Sequence, residues 1–357
     1  MKIIYNKLPV RIKLRCAVLF SCFFAVINLS GATFQDSTWG INGELMGYVE
    51  NIEYSNRFRD GQTILGAWLK SRILYKPVKG FSFSAGFFGN RYFGDSCFFT
   101  IIRPLLGAQF NTDHFLFAIG EIETPVEYDF PDILFRKEFR FQPGSFEGLS
   151  LKAGNSFFEQ NNWIQWYALN TPSQREHFAF GNSSRFIVNP VSIFLSAIID
   201  HHGGEQFAPE NDPIRENYCS ALGADINLFY SGFIKQFHGR ILGSFSATRN
   251  RSESHHYKNG WGVLGLAEVA FKYLDIGFQV FRGDSLIALL GNPVYQTNKP
   301  YYSLIFSKNY KNRFVEVDGG LNLEVADVEF QNYFKKFQHR WWISLLCRYE
   351  SFFRFHK

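Results

Sequence analysis

The sequence predicts an all-β fold, a transmembrane antiparallel up-and-down β-barrel of about 16 strands. Three observations predict it: an N-terminal targeting segment, long segments in which apolar and polar residues alternate, and connections that are alternately short and long. Barrels of 14 or 18 strands are alternatives, because element boundaries are hard to place from sequence. A secreted soluble β-sandwich or barrel is a further alternative, but it predicts charged outer faces. Several of these polar faces carry Gly, Ser, Asn and single charges instead.

Residues 1–32 have the composition of a secretory signal peptide. Five cations and no acid precede residue 16, residues 16–29 are apolar, and residues 30–32 are the small residues Ser, Gly and Ala. The apolar run is shorter than the roughly 20 residues of an ordinary spanning helix. We expect cleavage after Ala32 and a barrel over residues 33–357. Lipidation at Cys22 is a less favoured alternative, because Phe20 fits that cleavage pattern badly.

Composition after the signal peptide excludes several classes of protein. The net charge of the full chain is +5, and the signal peptide supplies five cations, so the mature chain is about neutral and no nucleic-acid partner is expected. Cys97, Cys219 and Cys347 are odd in number and far apart, so they form no disulfide framework. The chain has 42 Phe, 17 Tyr and 7 Trp, with no window after residue 32 that resembles a spanning helix. If these aromatic side chains contact lipid without a spanning helix, the chain must form a closed β-barrel, because no other structure without helices satisfies the backbone hydrogen bonds in a bilayer.

The alternation is clearest in residues 315–325, "VEVDGGLNLEV", where valines and leucines share one face and acids share the other. Eleven residues of period two predict one strand, and about 9 to 11 residues cross a bilayer when tilted. The last segment repeats the pattern, with Trp341, Ile343 and Leu345 opposite Arg340 and Arg348. In a membrane barrel the large apolar residues face lipid and the polar ones face inward.

Turn-forming residues divide the chain into strands joined by short and long connections. Short connections are periplasmic turns in this class of barrel, and long connections are extracellular loops. The short ones are at 76–80, 111–114, 155–161, 189–190, 230–233, 273–275 and 311–313, and the long ones are at 51–61, 90–97, 123–146, 170–176, 201–216, 249–258, 284–299 and 327–338.

Together these features resemble porin-like outer-membrane β-barrel proteins of Gram-negative bacteria. The Phe-rich last strand resembles their C-terminal assembly signal, although His356 and Lys357 follow Phe355. Residues 163–181 and 200–206 look like stretches of uncharacterised outer-membrane proteins. The resemblance implies an outer-membrane location, contact with outer-membrane lipid, and insertion by the barrel-assembly machinery through the last strand. It favours no particular oligomeric state.

The favoured function is a channel for passive or facilitated diffusion of small hydrophilic solutes. A cell-surface adhesion or ligand-binding barrel that acts through its extracellular loops is the alternative, and an outer-membrane enzyme is a weaker one. Ser285 in "RGDSL" lacks a downstream Asp-x-x-His, and His238 and Ser244 lie about 20 Å apart along one strand. With no catalytic constellation found, we expect no catalytic residue, no cofactor and no enzyme activity.

Charged residues on the polar faces are the expected pore lining, and closure of the barrel sets acidic strands beside basic ones. A ladder of ion pairs with no role in selectivity is an equal alternative. The predicted lining residues are Glu44, Glu50, Lys70, Arg72, Glu316, Asp318, Glu324, Arg340, Arg348 and Arg354. The third long loop, 123–146, is expected to constrict the pore through Glu127, Asp129, Asp132, Arg136 and Arg140; a solvated surface loop is the alternative.

Rings and imidazoles cluster in residues 163–202. Alternation predicts that Trp166 faces lipid while Trp163 and His177 face the lumen. The adjacent histidines at 201–202 and 255–256 point to opposite faces of a strand, so no metal site is expected.

Overall fold

A computed structural model describes residues 38–56, 59–123, 129–141, 146–204, 206–207, 212–326 and 337–353. In it, 16 antiparallel strands form one closed barrel in which each strand pairs with its neighbours in sequence and the last pairs with the first. The predicted fold class and strand number are confirmed. The strands are β1 Thr38–Asn56, β2 Arg59–Lys76, β3 Phe81–Tyr92, β4 Ile101–Asn111, β5 Phe115–Ile122, β6 Phe146–Gly154, β7 Phe158–Ala168, β8 Glu176–Val188, β9 Val191–Gly203, β10 Arg215–Phe229, β11 Ile234–Asn250, β12 Lys258–Phe271, β13 Asp275–Asp284, β14 Tyr301–Lys311, β15 Val315–Ala326 and β16 Phe337–Phe353.

The two ends of the barrel differ in the length of their connections. Seven short turns lie at one end, where β1 also begins and β16 ends, with Trp39 opposite Phe353. The other connections lie at the opposite end, which in barrels of this class is the extracellular end, and most of them are longer. The prediction of a long loop at 51–61 is wrong, because β1 continues to Asn56 and β2 begins at Arg59. The predicted signal peptide, residues 1–32, lies outside the described residues, and so do Glu127 and Arg354.

The period-two pattern produces two different surfaces. On β15 and β16, Val317, Ile343 and Leu345 are exposed on the outer face, while Asp318 and Arg340 are buried inside. Large apolar side chains turned outward from a closed sheet are suited to lipid, and the paired backbone leaves no sheet edge. Among the described residues, no helix is long and apolar enough to cross a membrane.

The interior is packed rather than hollow at mid-height. Residues 129–141, which we call the inner segment, enter the barrel from the loop after β5, and Phe130 and Phe135 lie with ring centroids 6.1 and 5.8 Å from that of Trp163 on β7. Val294 and Tyr295, from the loop after β13, belong to the same buried apolar cluster. A short 3₁₀ helix forms in each of these two loops, Lys137–Arg140 and Pro293–Gln296.

A second apolar cluster lies on the opposite side of the interior. Phe141, at the end of the inner segment, packs there with Met46, Tyr48 and Trp342 from β1 and β16. The rings of Phe141 and Tyr48 are stacked with centroids 5.7 Å apart. Because one segment contacts strands on both sides, it spans the interior from β7 to β1.

Candidate functional site

A histidine and an aspartate on neighbouring strands form a pair at the extracellular end of the barrel. His177 is the second residue of β8 and lies opposite His202 on β9. Asp200 comes two residues before His202 on the same strand. This diagonal position puts both side chains on the inner face, within reach of each other. His177 Nε2 and Asp200 Oδ2 are 2.9 Å apart.

Two further contacts hold the ring of His177. Tyr167 stacks on it with centroids 4.6 Å apart, and His202 meets it edge-on at 5.6 Å. His202 forms a second pair of its own, because its Nε2 lies 2.6 Å from Oδ1 of Asp212 in the loop after β9. The plane of the His177 imidazole is therefore set from two sides.

Asp212 ties this loop to the loop before β8. Its Oδ2 accepts the backbone N–H of Arg175 at 2.9 Å, and its backbone carbonyl accepts Nε–H of the same arginine at 2.5 Å. The amide of Arg175, together with the imidazole of His202, lowers the pKa of Asp212 below its ordinary value. The charged carboxylate thus stabilises the closed arrangement of both loops.

Burial differs within the pair of His177 and Asp200. The Asp200 side chain is 7% exposed, whereas that of His177 is 32% exposed. A buried carboxylate that fixes a partly exposed imidazole is the arrangement used in general acid–base catalysis, because the carboxylate sets the tautomer and stabilises the imidazolium. The pair can take a proton from a bound molecule at the rim and return it.

The outer face of the same strands carries a row of rings. Trp166 is 43% exposed there and stacks on Phe178 at 5.0 Å, and Phe178 lies 5.2 Å from His201. Trp163 is 1% exposed on the inner face. Lipid-facing rings therefore lie one strand thickness from the imidazole of His177, at the same height.

The charged residues expected to line a pore lie on the inner face, where they contact partners, apart from Arg354, which is outside the described residues. Arg72 bonds Glu44 at 2.8 Å, Arg348 bonds Glu316 at 2.7 Å, and Glu324 accepts the hydroxyl of Tyr54 at 2.9 Å. The sequence did not single out Glu121, whose two carboxylate oxygens accept Nε–H and Nη2–H of Arg72 in a forked contact, and which lies 3.4 Å from Lys70.

The most buried of these contacts centre on Arg340. This guanidinium lies 2.7 Å from Glu50 and 3.4 Å from Glu138, which comes from the inner segment and was also missed by the sequence analysis. All three side chains are at most 7% exposed. Arg340 therefore fastens the inner segment to β1 and β16.

A polar cavity of about 710 Å³ lies at the short-turn end, where residues 311–313 of the turn between β14 and β15 line it. Charged side chains of both signs line it. They include Glu44, Lys70, Arg72, Glu121, Arg348 and Glu350.

The predicted constriction residues lie inside the barrel, except Glu127, which is not described. Asp129 contacts Arg185 and Arg240, and Arg140 lies 2.5 Å from Asp318. Asp132 accepts Nδ2–H of Asn292 at 3.0 Å, and the amide of Arg136 donates to the carbonyl of Leu290 at 2.9 Å. The inner segment is thus bonded to the strands and to the loop after β13.

Other candidate groups from the sequence show no paired nucleophile and base. The hydroxyl of Ser285 lies 3.0 Å from Asp284, and that of Ser244 donates to the carbonyl of Gly262 at 3.1 Å. Within the described ranges, no three His, Cys, Asp or Glu side chains are arranged to hold a metal ion.

The family model described as lipid A 3'-O-deacylase-type matches residues 33–325. The chain belongs to this family. It is an outer-membrane β-barrel protein, and its strands lie in a lipid environment. The expectation that the protein is not an enzyme is wrong, because the lipid A 3'-O-deacylase-type family is a family of enzymes. His177 and Asp200 are 23 residues apart in the sequence and meet only through the pairing of β8 and β9, so no short motif indicates them.

Solved structures share the fold of this family member at low identity. A loop L8 deletion mutant of OmpT, an outer membrane protein of Vibrio cholerae, is 8% identical, with 88% of this chain and 99% of that chain covered and a TM-score of 0.55. An anion-selective porin from Comamonas acidovorans is 10% identical, with 88% and 100% covered and a TM-score of 0.54. No curated protein sequence matches the chain. The likeness to Gram-negative outer-membrane proteins is therefore one of fold.

Proposed function

We propose that the protein hydrolyses an ester-linked acyl chain of lipid A in the outer leaflet, with His177 as general base. The pairing of His177 with buried Asp200, 2.9 Å apart at the extracellular rim, carries this proposal. Membership in the lipid A 3'-O-deacylase-type family supports the reaction class.

The position of the pair suits an ester at the membrane surface. The ester of a membrane glycolipid lies where its acyl chains join the headgroup, at the level where interfacial rings settle. Trp166 and Phe178 offer an apolar outer surface for an acyl chain, and His177 is adjacent to Phe178 in the chain. A headgroup bent over the rim would bring the ester carbonyl to the imidazole.

The reaction needs a water molecule and no covalent enzyme intermediate. Among the described residues, the side chain of His177 hydrogen-bonds Asp200 and no hydroxyl group, so we assign water as the nucleophile. With Nε2–H donated to Asp200, Nδ1 takes a proton from water while the water oxygen attacks the ester carbonyl carbon. The imidazolium, stabilised by Asp200, returns the proton to the sugar oxygen as the C–O bond breaks. The products are a fatty acid and a sugar hydroxyl.

Mass spectrometry of lipid A incubated with the purified protein in mixed micelles tests the proposal. We expect the parent protein to release one acyl chain, and H177Q to lose about 100-fold or more in rate, the usual contribution of a general base. H114Q is the matched control, because His114 is exposed in the turn between β4 and β5, at the opposite end of the barrel, and its replacement should leave the rate unchanged. A parent protein that releases nothing would exclude deacylation, and an active H177Q would exclude this site.

We infer a second role, passage of small hydrophilic solutes, from the charged cavity of about 710 Å³ at the short-turn end. In this proposal the inner segment, which spans the interior from β7 to β1, acts as the constriction. Replacing residues 130–141 by a Gly-Ser linker should raise single-channel conductance in a planar bilayer. Equal conductance of the parent and the replaced protein would show that the inner segment does not control a pathway.

A further inference from the structure

Two arginines on the inner face share a buried carboxylate near the short-turn end. Arg185 on β8 lies 2.5 Å from Asp225 on β10, and Arg240 on β11 lies 2.6 Å from the same carboxylate. Asp225 is 1% exposed, and His238 approaches it at 3.5 Å. Both guanidiniums lie over the ring of Phe194, 5.3 and 5.0 Å from its centroid. The strands therefore hold both guanidiniums in place.

The second carboxylate at this site comes from the inner segment. A single oxygen, Oδ2 of Asp129, contacts both Arg185 and Arg240. Unlike Asp225, Asp129 has an exposed side chain, at 62%. Its φ is +51°, in the left-handed region that residues other than glycine seldom adopt. The Asp129 carboxylate that contacts the two arginines is therefore accessible to water, and its backbone has an uncommon conformation.

The charges at the site balance only when Asp129 is present. Two guanidiniums face two carboxylates, so removal of Asp129 leaves a net positive charge beside the buried Asp225. Partly desolvated guanidiniums favour a replacement anion, and a forked guanidinium fits a carboxylate.

We propose that Arg185 and Arg240 form a binding site for small carboxylates, which Asp129 occupies as an internal ligand. An external carboxylate competes with Asp129, whose tethering gives it a high local concentration. When the external ligand binds, the start of the inner segment leaves the arginines. Arg185 shares β8 with His177 but lies eight residues further along it, toward the short-turn end, and the site does not depend on ester hydrolysis at the rim.

Chemical rescue tests the site, with acetate as the probe. We expect D129A to unfold at a lower temperature than the parent protein, and acetate to raise that midpoint by about 3 °C at ten times its dissociation constant. In the parent protein the same acetate concentration should give a much smaller rise, because Asp129 already fills the site. Sodium chloride at equal ionic strength should not rescue D129A.

Two variants separate a built site from general salt effects. D129A/R185Q should fold, which heat-modifiable gel migration measures, and its unfolding temperature should not respond to acetate. If this variant does not fold, D129A/R185K takes its place. It keeps the positive charge but loses the forked guanidinium, so acetate should stabilise it less than it stabilises D129A. E253A is the matched control, because Glu253 pairs with Lys258 on the exposed surface and offers no enclosed site. Equal acetate responses in D129A, D129A/R185K and E253A, or none in D129A, would overturn the proposal.

Tryptophan fluorescence gives an independent readout. Phe130 follows Asp129 and its ring lies 6.1 Å from that of Trp163. In a variant that keeps Asp129 and only Trp163, acetate should shift the emission, but at higher concentrations than those that stabilise D129A, because it must displace the tethered Asp129. Emission that does not change while acetate binds would show that the inner segment stays in place, and would contradict the competition.

Discussion

The extracellular rim and the ion-pair network around Arg340 are both polar, yet they are built differently. In the network, Arg340 is enclosed between Glu50 and Glu138, and all three groups are almost fully buried. At the rim, Asp200 is buried but His177 keeps about a third of its side chain exposed. In the network each charge is paired within the protein, whereas at the rim one edge of the His177 imidazole stays open to a bound molecule.

This difference distinguishes a structural role from a chemical one. A charge surrounded by fixed partners resists any change of protonation, so it stabilises one arrangement of the chain. An imidazole with one fixed partner and one open side can exchange a proton with a substrate. The predictions below test this contrast from both sides.

The largest expected effect is at Asp200. D200N removes the acceptor that orients His177 and should lower the rate of acyl release by about 10²- to 10⁴-fold. D212N affects the contacts with His202 and Arg175 but leaves the pair of His177 and Asp200 in place, so we expect a loss of no more than about tenfold. The rates of fatty acid release from lipid A micelles measure both. Equal losses in the two variants would show that the pairs act as one structural cluster.

A large effect on stability is expected at Arg340. R340M leaves Glu50 and Glu138 buried without their shared cation, which should lower the free energy of unfolding by about 3 to 5 kcal/mol. K258M removes a surface pair with Glu253 and should cost no more than about 1 kcal/mol. Urea unfolding in lipid vesicles, followed by gel migration, measures the difference. Similar midpoints for the two variants would contradict the structural role of the network.

An intermediate effect is expected in the fluorescence of the two tryptophans of β7. Bromine on lipid acyl chains should quench Trp166 several-fold more than Trp163, because only Trp166 is on the outer face. Variants that keep a single tryptophan separate the two signals. Strong quenching of Trp163 would show that the inner and outer faces of β7 are the reverse of those described, with His177 facing lipid.

The smallest expected effect is the pH dependence of the loops at the rim. The pKa of Asp212 is lowered, chiefly by the amide of Arg175, so its stabilising contribution is present above the ordinary value of 3.8 and is lost as the pH falls through the lowered value. Hydrogen exchange at the Arg175 amide should be slower than in D212N at about pH 6, and this difference should disappear only below pH 3.8, as Asp212 becomes protonated. If the Arg175 amide exchanges equally fast in the parent protein and in D212N at pH 6, Asp212 does not hold the two loops together.

Strand pairing explains why the rim was only partly predictable. The two-residue turn at 189–190 fixes the register of β8 and β9, with Val188 opposite Val191, and the same register sets His177 opposite His202. The diagonal position of Asp200 follows from that register, so the turn and the register together predict that His177 and Asp200 form a pair. The contact of His202 with Asp212 was not, because it depends on the path of a loop.

Alternation, strand length and turn spacing are local properties, so the sequence by itself determined the barrel, its 16 strands and the face on which each side chain lies. Only the tertiary structure decided what fills the interior. Glu138 reaches Arg340, and Asp129 reaches Arg185 and Arg240, across long separations in the chain. Such contacts depend on how a loop packs against many strands at once, and no periodic pattern in the sequence specifies that path.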